Sequence, residues 1–327
     1  MTITHIPTSE PDVMPVPFYQ SQGWHQTVST EHTQAVRFSV TGTGVIQTLV
    51  ILYPLKGLGT HMYIPRGPVM SETVSASDVA AWATEIATIA KQNKAHWCLI
   101  EPDTLTDEQL SWLDSHTRLL PKDRLPHQTR KIDLSKPTDL LLQEMNKKTR
   151  YNIRLAEKRG TTIQRVTPQD TDFEPIFAAF YDLLEETSSR AQFQIHSKQH
   201  YRTILETKTD TFTPYLLSAH HDEDISAIHM FVDTQSETVY LHGGSASRLK
   251  NLMGPYLVQW EAIRQAKRAG LKTYDFWGTS DTKPSWAGIT RFKRKFGGYT
   301  VEYPKTRAML FSPVGRAYKL LTQIKKK

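Results

Sequence analysis

The chain of 327 residues has a single cysteine, Cys98, so no internal disulfide can form and a reducing compartment is expected. No apolar run approaches the roughly 20 residues that a membrane-spanning helix needs. The N-terminal stretch is interrupted by Pro7, Pro11, Pro15 and Pro17 and lacks the apolar core of a signal peptide. A soluble, cytoplasmic protein is therefore expected. Also missing are a Walker A sequence, a Rossmann glycine fingerprint, a paired CxxC and a G-x-S-x-G elbow, which removes the commonest nucleotide-, zinc- and hydrolase-site patterns. His196 and His200 lie four apart, with no glutamate between them and no third ligand nearby. His220-His221-Asp222-Glu223-Asp224 reads as a solvated turn, so no metal site is expected.

What is present is a hydrophobic content of 39% with dispersed aromatics, enough for a folded globular protein, and a length that suits two domains of about 150 residues each. The net charge of +7 is unevenly placed. Seven Lys or Arg stand against Glu157 between Met145 and Arg165, and seven against Glu302 between Lys283 and Arg307. Concentrated basic patches suit phosphate-bearing partners such as nucleotide, RNA or anionic lipid; a solvated surface is the plainer alternative.

Along the chain, Ala35–Val40 and Gly44–Tyr53 read as strands joined by a tight hairpin, followed by a kinked extended stretch at Tyr63–Pro68. A helix from about Ser77 to Asn93 carries Trp82, Ile86 and Ile89 on one face, and Trp97–Ile100 reads as a buried strand. Pro121 to Pro126 reads as a linker. Beyond it, Lys131–Leu134 opens a second α/β unit. Its first helix, about Asp139 to Arg159, turns Leu141, Leu142, Met145, Ile153 and Ala156 inward and Lys147, Arg150, Arg154 and Lys158 outward, and Gly160 stops it. A helix over about Phe173–Thr187 follows, then strands at Tyr215–Ala219, Ala227–Val232 and Val239–His242.

The most informative stretch runs from Val239 to Gly298. A strand breaks into a small-residue turn, Gly243–Ser247, and passes through Met253-Gly254-Pro255 into an amphipathic helix. There Tyr256, Trp260, Ile263 and Ala266 form one face, with Gln259, Glu261, Arg264, Gln265 and Arg268 on the others. Gly270 caps the helix, and Thr273–Trp277 is a second strand. Strand, helix and strand imply a parallel pair with ligand space at its carboxyl ends. The turn before the helix resembles the pyrophosphate site of general N-acetyltransferases, yet it has one glycine, and Pro255 removes an amide donor, which weighs against acyl-CoA. In the basic loop Arg291–Gly298, Lys293 stands between Phe292 and Phe296. There an ammonium shielded from water would stabilise developing negative charge; a surface lysine is the alternative. A last amphipathic helix is expected from Val314, Ala317, Tyr318, Leu321 and Ile324, ending in three lysines.

Five blocks, in order, resemble the FemABX-like peptidyltransferases: Tyr63–Pro68, Asn146–Gly160, Asn251–Ile263, Tyr274–Gly278 and Arg291–Gly298. The resemblance implies an α/β fold of two acetyltransferase-like domains with mixed sheets flanked by helices, one formed by residues 1–130 and 306–327 and the other by 131–305. It also implies transfer of an amino acid from aminoacyl-tRNA, as co-substrate and without a cofactor, to a stem-peptide amine of a peptidoglycan precursor, UDP-MurNAc-pentapeptide or lipid II. On that resemblance Lys293 and Phe292 are the catalytic pair on the oxyanion side, and Arg190, Tyr201, Tyr240, Tyr256 and Arg66 are substrate contacts. Lys147, Arg150, Arg154, Lys158, Arg291, Arg294 and Lys295 are contacts to tRNA or other phosphates. His242 departs from the family, which often has an aromatic there, and no heptad run supplies a coiled-coil arm. A monomer with peripheral contact at the inner membrane face completes the expectation. An acyl-CoA-dependent N-acyltransferase and a non-catalytic RNA- or membrane-surface-binding protein remain the alternatives.

Overall fold

The computed structural model describes residues 1–31, 33–120 and 123–317. Two compact units are present, one from Met1–His127 with Glu302–Lys327, the other from Gln128–Val301.

In the first unit the elements are β1 (Thr2–His5), α1 (Gln22–Thr30), β2 (Gln34–Thr41), β3 (Val45–Leu55), β4 (Gly59–Pro65), β5 (Val69–Met70), α2 (Ala76–Gln92), β6 (Ala95–Glu101), α3 (Asp107–His116) and β7 (Arg118–Leu119). The strand Arg307–Leu310 enters between β6 and β7, giving the order β1-β2-β3-β4-β6-(307–310)-β7, with β5 on β3. A capping box starts α2: the Ser75 hydroxyl accepts from the Asp78 amide, and the Asp78 carboxylate accepts from the Ser75 amide. Trp82, Ile86 and Ile89 of α2 are buried with Val50, Met62 and Ile64 of the sheet.

At the carboxyl end of the parallel pair β4/β6 side chains meet. Tyr63 donates its hydroxyl to Glu101, whose other oxygen accepts the Leu125 amide at 2.9 Å, and the Arg124 guanidinium lies 4.4 Å above the Tyr63 ring. Arg66 is buried beside them at φ +50°. Its guanidinium stacks 3.4 Å above Tyr303 and donates to the Pro126 carbonyl.

In the second unit β8 (Gln128–Asp133), α4 (Thr138–Glu144), α5 (Lys147–Lys158), β9 (Thr162–Val166), α6 (Phe173–Ala191), α7 (Lys198–Glu206), β10 (Phe212–His221), β11 (Asp224–Thr234), β12 (Glu237–Ser245), α8 (Gly254–Arg268), β13 (Thr273–Thr279), α9 (Ala287–Arg294) and β14 (Tyr299–Glu302) follow in sequence. The sheet order is β14-β8-β13-β12-β11-β10-β9. His220–Asp224 makes the tight turn between β10 and β11, with Asp222 left-handed at φ +50°.

Three expectations are corrected here. The helix anticipated over Asp139–Arg159 is two helices. Asn146 caps α5 by accepting the Lys148 amide, and Arg150 turns back to donate to the Gln143 carbonyl at 2.9 Å, so both loose ends at the break are satisfied. The basic loop is in large part the helix α9. The small-residue turn at Gly243 belongs to β12: a Cβ on Gly243 would lie 2.4 Å from the His229 ring, and one on Gly244 would lie 2.4 Å from the Leu183 backbone of α6, so those glycines permit close packing. Pro121 and Lys122 of the expected linker lie outside the described residues. So do Tyr318, Leu321, Ile324 and the terminal lysines of the expected last helix.

Candidate active site

Strands β12 and β13 run parallel as expected, but they pair only over Glu237–Val239 and Thr273–Asp275. β12 continues to Ser245 and β13 to Thr279 without pairing further to each other, each held there by its outer neighbour, so a wedge opens between them beyond Val239 and Asp275. Each strand carries a bulge at that point. β12 gains Leu241 opposite the step from Met230 to Phe231, and β13 loses register against β8 between Asp275 and Gly278. Bulges of this kind re-aim side chains and free backbone carbonyls. In β13 the bulge puts Trp277 at φ +63°.

Lys293 fills this wedge from α9. It is 6% exposed, and its Nζ donates to the carbonyls of Gly278 at 2.9 Å and Trp277 at 3.3 Å, while lying 5.6 Å from the centre of the Tyr240 ring. Burial lowers the Lys293 ammonium from its ordinary 10.5 to about 7, with the Asp275 charge pulling the other way. The helical turn places Phe292 and Phe296 on a neighbouring face, where Tyr256 of α8 meets both rings, at 5.3 and 6.0 Å, and Phe276 of β13 backs Phe296 at 5.2 Å. This aromatic packing fixes α9 against the sheet and keeps water from one side of the ammonium.

On the other strand of the wedge, burial raises the Tyr240 hydroxyl above its ordinary range. His242 stands two residues on, its ring 4.9 Å from that of Tyr201 on α7, and His196 lies 6.4 Å from it. Tyr201 is wholly buried and its hydroxyl accepts the His196 amide at 3.1 Å. His242 is held neutral, lowered to about 3 by burial first and then by His196, His200 and Lys293. Lys293, Tyr240, His242 and Tyr201 therefore converge, with Phe292 and Tyr256 alongside.

The remaining expected residues are elsewhere. Arg190 is exposed at the end of α6, donating to the Ser247 hydroxyl and paired with Glu186 at 3.5 Å. Arg66, expected as a substrate contact, belongs to the first unit, where its guanidinium stacks on Tyr303 and donates to the Pro126 carbonyl. On α5, Lys147, Arg154 and Lys158 are exposed, whereas Arg150 is half-buried and spent on α4. Arg291 and Lys295 line a cleft of about 890 Å³ with Arg130, Lys136 and Lys283. Arg294, on the same cleft, is tied in a two-pronged ion pair to Asp281 at 2.7 and 2.8 Å.

Two features escaped the sequence reading. Gln259, placed there on a polar face of its helix, is fully buried and bridges His229 Nδ1 at 2.9 Å and the Tyr274 hydroxyl. Asp275 is 2% exposed and sits at the root of the wedge. A polar residue between Val258 and Trp260, and an acid inside an otherwise apolar strand, are the signals that could have pointed to them.

The FemAB family model matches residues 117–229 and 207–326, a span that includes every residue of the wedge. The chain belongs to the FemAB family. The family resemblance seen in the five sequence blocks thus holds, and with it the assignment to an enzyme family of aminoacyltransferases. Among relatives of this family member, the lipid II:glycine glycyltransferase of Staphylococcus haemolyticus (strain JCSC1435) is 24% identical, covering 74% of this chain and 75% of its own. In structure the FemAB chain is similar to FemX, with a TM-score of 0.82 at 20% identity over 99% of this chain and all of that one. It also resembles a tandem GNAT protein from the clavulanic acid pathway, with a TM-score of 0.55 at 9% identity over 95% of this chain and 99% of the other. These likenesses show a GNAT-like fold of mixed sheets flanked by helices.

Proposed function

We propose that this FemAB-family enzyme moves an amino acid from aminoacyl-tRNA to the stem-peptide amine of a peptidoglycan precursor, UDP-MurNAc-pentapeptide or lipid II, and so builds the interpeptide bridge. The observation that carries the mechanism is the buried Lys293 ammonium in the wedge between β12 and β13. The precursor's neutral amine attacks the ester carbonyl carbon. The carbonyl oxygen takes the negative charge, and collapse of the tetrahedral intermediate breaks the bond to the ribose oxygen, which receives the proton from the attacking nitrogen. Lys293, screened by Tyr240, Phe292 and Tyr256, is the cation that meets the oxyanion in a water-poor setting, where one such charge is worth a factor of about 10² or more in rate. Orientation of amine and ester supplies much of the remainder.

The basic cleft beside α9 suits the phosphates of the tRNA acceptor end, with Arg291 and Lys295 uncommitted to acids, and the exposed cations of α5 suit the same backbone. Tyr201 and His242 form the wall on the acceptor side. In this proposal both units are acetyltransferase-like, and the enzyme works as a monomer on the cytoplasmic side of the membrane, touching its inner face where lipid II is the acceptor. No helix among the described residues is long and apolar enough to cross a membrane.

Purified protein incubated with charged total tRNA and either precursor, with product mass as the readout, tests this reading. A precursor heavier by one or more amino acids is expected. No transfer from any charged tRNA, together with consumption of acetyl-CoA in a parallel reaction, overturns it in favour of an acyl-CoA enzyme.

A further inference from the structure

The two carbonyls that receive Lys293 belong to a bulged backbone, and that backbone has a visible fastening. Asp275 Oδ1 accepts the Trp277 amide at 2.7 Å across the bulge and also accepts the Thr129 hydroxyl from the neighbouring strand β8. The turn that aims the Trp277 and Gly278 carbonyls at Nζ is therefore closed by one carboxylate. Its other oxygen faces Lys131 Nζ at 3.6 Å, and Lys131 is shared with Glu237 at 2.7 Å. The Asp275 charge acts on Lys293, favouring the ammonium against burial.

We propose that Asp275 is the positioning residue for Lys293, its carboxylate both locking the β13 bulge that holds Nζ and supplying the buried counter-charge that keeps the ammonium protonated. The inference rests on the catalytic reading of Lys293. The groups that face Lys293 are few. From β13 there is Asp275; from β12, the Tyr240 ring and neutral His242; behind Asp275, Lys131 of β8; and on α9 itself, Arg291, directed to the cleft, and Arg294, neutralised by Asp281. Among these Asp275 alone is negative and inside, so loss of its charge leaves the ammonium with carbonyl dipoles only. A buried cation held by dipoles gives up its proton at lower pH than one that also has an anion nearby.

Asp275→Asn separates the two parts of the proposal. The amide keeps an oxygen that can accept from the Trp277 N–H and the Thr129 hydroxyl, so the bulge is retained while the charge is removed. The Lys293 titration is read directly by NMR of ¹³Cε-labelled lysine in the full chain, with Lys293→Met identifying the signal. The expected result is a tenfold loss of proton affinity, a midpoint about one pH unit lower than in the wild-type protein. The alkaline limb of the transfer-rate profile, where the required ammonium is lost, should move down with it. Lys131→Met gives an opposite arm: with its cation gone, Asp275 acts on Lys293 less neutralised, and the midpoint should rise. An unchanged midpoint in both variants overturns the inference. A midpoint that moves in Asp275→Asn while the rate profile stays in place upholds the link between Asp275 and Lys293 and removes Lys293 from the chemistry, so the two readings fail separately. If Asp275→Asn does not fold, the Lys131→Met midpoint decides: a rise supports the inference, and no movement overturns it.

Discussion

A buried ammonium at the base of a wedge should show itself in the pH dependence of stability. In the unfolded chain Lys293 has its ordinary value of 10.5; in the folded protein burial brings it to about 7. A lysine lowered on folding makes the unfolded state bind more protons between those two values, so stability must rise with pH across that window and stay flat below it. The whole penalty, present below pH 7, corresponds to roughly 5 kcal/mol at about 1.4 kcal/mol per pH unit. Between pH 6 and pH 9 about 3 kcal/mol of it should be relieved. Lys293→Met keeps the length and volume of the side chain and removes the titration. The variant also leaves the Trp277 and Gly278 carbonyls without Nζ, a pH-independent loss of about 1–3 kcal/mol per orphaned group. Urea unfolding of both proteins at pH 6, 7.5 and 9 should therefore give a stability difference that moves toward the wild-type protein by about 3 kcal/mol as pH rises, since other titrating groups cancel between them. Parallel curves would refute the burial of a charged Lys293.

Three further outcomes follow from single side chains. Gly243→Ala drives a methyl toward the His229 ring and the Tyr240 hydroxyl, so a stability loss of about 1–3 kcal/mol by denaturant titration is expected, with a larger fall in transfer rate as Tyr240 shifts. Gln259→Leu leaves His229 Nδ1 and the Tyr274 hydroxyl buried and unpaired and should cost about 2–4 kcal/mol in the same titration; a loss under 1 kcal/mol would show that the network is dispensable. Arg154→Ala, exposed and free of intramolecular use on α5, should weaken tRNA binding and reduce the slope of log affinity against log salt by about 1, whereas Arg150→Ala should act mainly on stability; an unchanged slope for Arg154→Ala removes α5 as a contact surface.

The parts of this structure that were legible beforehand are those governed by local rules. The apolar stripe of α8, the Trp82, Ile86 and Ile89 face of α2 and the parallel strands at Val239 and Thr273 all follow from periodicity and end signals in one stretch of chain. The break at Asn146 was hidden because apolar residues keep helical spacing across it, and the interruption comes from a side-chain cap, Asn146 to the Lys148 amide. Charge gave the location of the Lys293 site and not its character: a run of Arg and Lys reads as solvated, and only tertiary packing decides that Lys293 alone turns inward while Arg294 goes to Asp281. The stacking of Arg66 on Tyr303 was hidden for a related reason, since it joins residues more than two hundred positions apart. Asp275 and Gln259 matter through partners on β8 and β11, which no periodicity within β13 or α8 could announce.

The account stands most directly on the single-turnover rate at which an amino acid leaves its tRNA for the precursor amine, measured for wild-type enzyme and Lys293→Met at saturating donor. The prediction is a fall of about 10²-fold or more in the transfer step, with tRNA affinity unchanged within twofold, because the ammonium meets charge that develops only in the transition state. Equal rates in the two proteins would contradict the assignment of Lys293 to the oxyanion, and with it the wedge between β12 and β13 as the seat of the chemistry.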